Sequence, residues 1–317
     1  MHLEALLREM IRIRLVEEEI ALRYSEQKMR CPTHLCIGQE AIATGVCASL
    51  EINDKVFSNH RAHGHYLAKG GSLNAMIAEL YGKASGCCGG RGGSMHLIDV
   101  EAGFVGATPI VGGTVPLAVG AAWASALRQE GSVCVVFFGD GCFEEGVVHE
   151  SMNFAALHKL PVLFVCENNE FSVYTSLGLR QPTRPIYSIA AAHGLVAHCG
   201  DGNNVESVLE LASKAVAEAR AGQGPQFLEF RTYRWREHCG PDFDHHLNYR
   251  AEEEIKEGMK NCPIERFKAR LMNMGSDIHE KTDLFEEEIK REISLAFAFA
   301  EASPNPDPKD AAAKIYA

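Results

Sequence analysis

Two apolar, β-branched runs, Ser132–Phe138 and Pro161–Cys166, flank a segment whose apolar residues recur at helical spacing. Each run is long enough for a strand buried on both faces, which reads as near-continuous hydrophobicity. Between them Val147, Met152, Phe154, Ala155 and Leu157 mark the face of a helix, with Glu144 and Glu145 predicted in its first turn, where acids suit the helix dipole. Strand, helix, strand predicts parallel pairing through a right-handed crossover, so both carboxyl ends open on one edge of the sheet. That edge would carry Asp140, between Gly139 and Gly141, and Asn169, one β-α-β unit later.

Ligands of open α/β sheets bind at this edge, and two oxygen-bearing side chains there suit a hard cation such as magnesium better than zinc or copper. Magnesium usually combines one or two protein oxygens with substrate phosphates, so a phosphate is expected beside Asp140, where the glycines would let the backbone approach it.

The rest of the chain adds helices at both ends. Met1–Met10 reads as an amphipathic helix carrying acids, unlike an acid-poor transit peptide, so the expected compartment is cytoplasmic. No Pro/Ser-rich linker or repeat interrupts the pattern. The simplest reading of residues 1–317 is one doubly wound α/β domain with helices on both faces of a mainly parallel sheet, an N-terminal helical arm (about residues 1–30) and a C-terminal helical region (about residues 250–317).

A formal charge of −11 argues against nucleic-acid or anionic-membrane surfaces, and no apolar stretch approaches the ~20 residues that span a bilayer. Eleven cysteines, including adjacent Cys87-Cys88, fit a reducing compartment better than a disulfide scaffold. Three motifs are set aside. Gly200-Asp-Gly-Asn-Asn204 leads into a helical pattern and reads as a turn and helix cap. His149-Glu-Ser-Met-Asn153 lacks the second histidine of a zinc helix, and Gly86–Gly93 lacks the Lys-Ser/Thr ending of a Walker loop.

Gly139-Asp140-Gly141 through Asn168-Asn169 resembles the signature of thiamine diphosphate enzymes. With His34–Ala41, His60–Gly64, Gly90–His96, Ile110–Gly112, Asn153–Leu157, Thr232–Arg234 and His238, the chain resembles, over nearly its whole length, the alpha subunit of the decarboxylating component of 2-oxo acid dehydrogenase complexes. That resemblance implies the thiamine diphosphate-binding fold, thiamine diphosphate and Mg2+ as cofactors, and oxidative decarboxylation of a 2-oxo acid, or cleavage of acetoin, with acyl transfer to lipoamide. It implies Asp140, Asn169 and the Phe171 carbonyl as metal ligands, and His60, Arg61, Pro109, Val111, Gly141, Cys142 and His238 as cofactor contacts. His238, His63 and His34 are implied around the reacting carbon.

The family also implies an α2β2 heterotetramer whose beta subunit supplies the activating glutamate, and a lipoyl-bearing acyltransferase as a further partner. Six positions depart from the pyruvate-type pattern: His60 replaces tyrosine, Pro109 replaces glycine, Trp235-Arg-Glu237 replaces Tyr-His-Gly, and Cys239 stands where the mammalian subunit has its regulatory serine. The loop Cys239–His246 is expected to order over bound cofactor. The altered loop around Arg236 leaves open a carboligase with a non-lipoyl acceptor, alongside a noncatalytic cofactor-binding subunit.

Overall fold

The structure, a computed structural model, describes residues 3–29 and 31–309. The outermost parts of the two helical extensions, Met1, His2 and residues 310–317, therefore lie outside the described residues, as does Arg30. The elements are α1 (Leu3–Tyr24), α2 (Glu40–Cys47), β1 (Lys55–Ser58), α3 (His63–Ala68), α4 (Leu73–Leu80), β2 (Phe104–Ala107), α5 (Thr114–Arg128) and β3 (Cys134–Gly139). There follow α6 (Gly146–Leu157), β4 (Val162–Asn168), the small pair β5 (Phe171–Ser172) and β6 (Thr175–Ser176), α7 (Leu177–Arg180) and α8 (Ile186–Ala192). Finally come β7 (Val196–Asp201), α9 (Val205–Arg220), β8 (Gln226–Arg231), α10 (Glu252–Lys260), α11 (Pro263–Asn273) and α12 (Ile278–Ala302).

Six strands form one sheet in the order β2-β1-β3-β4-β8-β7, every neighbouring pair parallel. The continuous apolar runs follow from burial on both sides, since successive side chains of a strand point to opposite faces. Val135, Phe137, Leu163 and Val165 pack beneath α1, α2, α9 and α12, while Cys134, Val136, Phe138, Val162, Phe164 and Cys166 pack against α5, α6 and α8. Within α1, buried Leu6, Leu7, Met10, Ile13, Val16 and Ile20 form one stripe, and Arg12 ties the helix to Glu292 of α12 at 2.8 Å. Among the described residues no helix is long and apolar enough to cross a membrane.

One predicted detail differs. Glu144 and Glu145 do not lie in the first turn of α6: Cys142–Glu144 closes as a 3-10 turn, Glu145 is the extended N-cap residue, and the helix begins at Gly146. The backbone bonds Phe143 N to Asp140 O (3.2 Å) and Glu144 N to Gly141 O (3.3 Å) hold that turn against the end of β3. At Asn204 the predicted cap is present, its side chain accepting from Ser207 N at 3.2 Å.

The chain leaves β1 outward to β2 and leaves β3 in the other direction to β4, so the order reverses between β1 and β3. A crevice opens at such a switch point, outside the carboxyl ends of the strands.

Candidate active site

Most segments lining that crevice follow the carboxyl end of a parallel strand. Asn59, His60 and Arg61 follow β1; Thr108–Gly112 follow β2; Asp140–Cys142 follow β3; Asn169 and Phe171–Val173 follow β4; His238 follows β8. His34 and Gln39 enter from the segment before α2. Gly139 pairs with Glu167 in register, which brings Asp140 and Asn169 to adjacent strand ends.

Asp140 is 1% exposed, and its carboxylate accepts from the Arg180 guanidinium. Burial raises its pKa, and Arg180 opposes that rise. Asn169 donates from Nδ2 to Gln39 Oε1 at 2.9 Å, and its Oδ1 accepts from Phe171 N at 3.3 Å, which fixes the amide with its oxygen on the Phe171 side. Glu170 and Val173 have φ of 67° and 54°, and for β-branched Val173 this left-handed geometry is a strained one. Arg234 holds it from beneath, donating to Val173 O at 3.2 Å.

The two glycines around Asp140 are not equivalent. A Cβ on Gly141 would lie 2.7 Å from Ser172 Oγ, whereas one on Gly139 would meet only Glu167 O at 4.0 Å. Close approach therefore requires glycine at 141 and not at 139. A backbone cradle beside carboxylate and amide oxygens is a donor set suited to a hard cation carrying a diphosphate.

Three imidazoles converge on the other side of the crevice. Ring centroids lie 4.6 Å apart for His34 and His60, 5.0 Å for His34 and His238, and 5.2 Å for His60 and His238. Burial first, then the Arg61 guanidinium, lowers their pKa values to about 3, about 2 and about 3 for His34, His60 and His238. All three are neutral at physiological pH and offer one donor and one acceptor nitrogen each. His34 Nδ1 is buried with no hydrogen-bond partner.

Arg61, 5% exposed, donates to the carbonyls of Leu35 and, at 3.4 Å, of His238. Among the described residues no carboxylate lies within ion-pair distance of it. Burial and neighbouring Arg234 lower its pKa to about 10, which leaves it charged. A buried guanidinium without an anion is a strong attractor for one.

His63 stands apart from the other histidines, contrary to the expected clustering of His34, His63 and His238. Fully buried at the start of α3, it lies 3.1 Å from Glu17 Oε1 and 2.8 Å from Ser94 Oγ, and it does not line the crevice. The Glu17 carboxylate of α1 also accepts from Cys36 N at 2.6 Å, so His63 belongs to a buried network tying α1, α3 and the His34 segment together.

Other site residues carry little local signal. Glu167 lines the crevice and contacts His65 Nε2 at 3.2 Å; an acid ending an otherwise apolar run was its clue. The loop after His238 is anchored by Gly240 N to Thr33 O at 2.8 Å, and by buried Asp244, which accepts from Arg250 at 2.5 Å and from Tyr249. The glycine-rich run Gly86–Gly93 wraps a protein carboxylate: Glu79 accepts from the N–H groups of Cys88, Gly90, Gly92 and Gly93 at 2.6–3.1 Å. All eleven cysteines are unpaired.

A doubly wound parallel sheet with an acidic turn after one central strand, an asparagine after the next and an arginine without a carboxylate partner in the same crevice defines an α/β protein that binds its ligand at the carboxyl ends of the strands. Residues 8–309 match the Dehydrogenase E1 component family, and the chain belongs to it. It is 37% identical to the alpha subunit of acetoin:2,6-dichlorophenolindophenol oxidoreductase from Bacillus subtilis, over 90% of this chain and 86% of that one. It is also 37% identical to the pyruvate dehydrogenase E1 component subunit alpha of Rhizobium meliloti, over 98% and 87%. A rat mitochondrial pyruvate dehydrogenase E1 alpha subunit shares 35% identity over 89% and 71%. The chain is thus an alpha-type, thiamine diphosphate-dependent oxidoreductase subunit.

Proposed function

We propose that this chain binds the diphosphate end of thiamine diphosphate through Mg2+ and, with a beta subunit in an α2β2 assembly, acts on a 2-oxo acid such as pyruvate, or on acetoin, passing the acyl unit to a lipoyl group of an acyltransferase. The proposed compartment is the cytoplasm. The observation that carries the reading is the shared crevice: oxygen donors of Asp140 and Asn169, three neutral imidazoles, and Arg61 without a carboxylate partner, all lining it.

In this reading Asp140, Asn169 and the Phe171 carbonyl hold the metal, while Gly141, Cys142 and Arg61 take the diphosphate. Pro109 and Val111 pack along the cofactor rings, with His60 facing them from the β1 side. The cofactor, when bound, supplies the carbon nucleophile and the electron sink for loss of carbon dioxide. His34 and His238, held neutral by burial, donate a hydrogen bond to a substrate oxygen or accept its proton. His63 supports this wall through Glu17 and the backbone of Cys36.

The test is purification with its beta partner, followed by assay of 2-oxo acids and acetoin with 2,6-dichlorophenolindophenol as electron acceptor. Turnover of one of these by the pair, and near-absence of it in this chain alone, is the expected result. No turnover of any of them by the folded pair would overturn the reading.

A further inference from the structure

Arg180 sits against the proposed metal ligand. At the end of α7 its guanidinium donates to Asp140 Oδ2 and Glu144 Oε1, and Nε donates to Thr175 O at 3.1 Å. Gln181 reinforces the arrangement, donating to Glu144 Oε1 at 2.9 Å. The Arg180 side chain is 10% exposed, so this cation is fixed in the site and not a mobile surface charge. A Cβ on Gly141 would lie 3.6 Å from Arg180 Nη1, which puts the guanidinium at the mouth of the same cradle.

From this geometry we infer that Arg180 makes metal loading conditional on the diphosphate: it neutralises Asp140 so that a bare divalent cation is rejected, while a metal bound to diphosphate is accepted. The inference rests on Asp140 being a metal ligand. A bare cation approaching Asp140 meets a fixed positive charge that already holds one carboxylate oxygen, so both Coulomb repulsion and loss of an acceptor oppose it. A metal-diphosphate unit brings net negative charge, for which the same guanidinium is a hydrogen-bonding partner. Glu144 and Gln181 keep Arg180 at the mouth of the site during the exchange. Arg180 is therefore a positioning residue: it decides in what form the metal enters.

The experiment uses the full chain assembled with its beta partner, with Mn2+ as the probe, read by the free-ion signal in electron paramagnetic resonance, with and without thiamine diphosphate. Wild type is expected to bind Mn2+ tightly only when thiamine diphosphate is present. Arg180→Gln is expected to bind Mn2+ alone at least about tenfold more tightly than wild type does. Arg180→Lys, which keeps the charge, should still reject bare Mn2+. Equal Mn2+ affinity of wild type and Arg180→Gln without cofactor, weaker affinity in the variant, or a gain in Arg180→Lys as large as in Arg180→Gln would overturn the inference. Asp140→Asn with thiamine diphosphate present separates the two claims. If it loses Mn2+ while Arg180→Gln gains none, only the Arg180 inference fails; if it keeps wild-type affinity, the metal-ligand reading fails.

Discussion

Replacing Arg61 by methionine removes the crevice's one buried cation that, among the described residues, has no carboxylate partner, while keeping an unbranched stem. In the wild type the guanidinium donates to the main-chain carbonyls of Leu35 and His238. Its replacement exchanges those two bonds for relief from burying an unneutralised charge. Hydrogen bonds to charged groups contribute roughly 1.5–3 kcal/mol each and the burial of an unpaired ion costs several, so cofactor-free stability is expected to change by less than about 2 kcal/mol. With a diphosphate in reach, two charge-assisted bonds are lost with no offsetting gain, which weakens cofactor binding by about 3–4 kcal/mol, or about 10²–10³-fold in Kd. Arg61→Lys should fall between, because an ammonium keeps the charge without the bidentate fork. Calorimetric titration of thiamine diphosphate with Mg2+ into the assembled enzyme, beside thermal melts without cofactor, measures both quantities. An affinity within about threefold of wild type would refute the assignment, as would a loss of affinity that merely tracks a lowered melting temperature.

Three further outcomes are expected. Gly141→Ala should lower cofactor affinity by at least about tenfold, because its Cβ would meet Ser172 Oγ at 2.7 Å, and the added Ser172→Gly change should restore much of it; titration calorimetry on both variants checks this. His63→Gln should lower unfolding free energy by about 1–3 kcal/mol through the Glu17 network while cofactor affinity stays within about twofold, measured by denaturant melts and titration. For pH, His34, His60 and His238 have folded pKa values depressed from the ordinary 6.5 to about 3, about 2 and about 3, so unfolded chains take up protons that the folded protein does not. Stability is then full above pH 6.5 and falls as pH drops towards about 3, by up to about 1.4 kcal/mol per pH unit per group and roughly half that after allowance for partial exposure. Denaturant melts of the cofactor-free enzyme from pH 7 to pH 4 should show this slope, and His34→Asn should flatten it.

The pairing of Asp140 with Asn169 was legible in the sequence because it needs only two facts that periodicity carries: buried strands at Ser132–Phe138 and Pro161–Cys166, and a helix between them. The start of α6 is not legible in the sequence, because a 3-10 turn after Asp140 consumes residues that look like a first helical turn. Glu17 and Arg180 leave no usable trace, and Arg234 shows only as part of the Thr232–Arg234 motif, without its contact. Each is a charged residue in a segment that otherwise reads as ordinary helix or loop, and each acquires its role from a partner distant in the chain: His63, Asp140 and Val173. The separation of His63 from His34 and His238 has the same origin, since sequence places a histidine at the start of α3 without fixing which way its ring turns. The unequal need for glycine at 139 and 141 depends on Ser172, in the short strand β5 that follows β4.

The central claim is that Asp140 anchors a metal-bound diphosphate at the carboxyl end of β3. Titration of thiamine diphosphate into the assembled enzyme, with Mg2+ and then with Mg2+ removed by chelation, tests it directly in wild type and Asp140→Ala. The account predicts metal-dependent binding in wild type and none in a folded Asp140→Ala enzyme. Unchanged, metal-dependent affinity in that variant would contradict it.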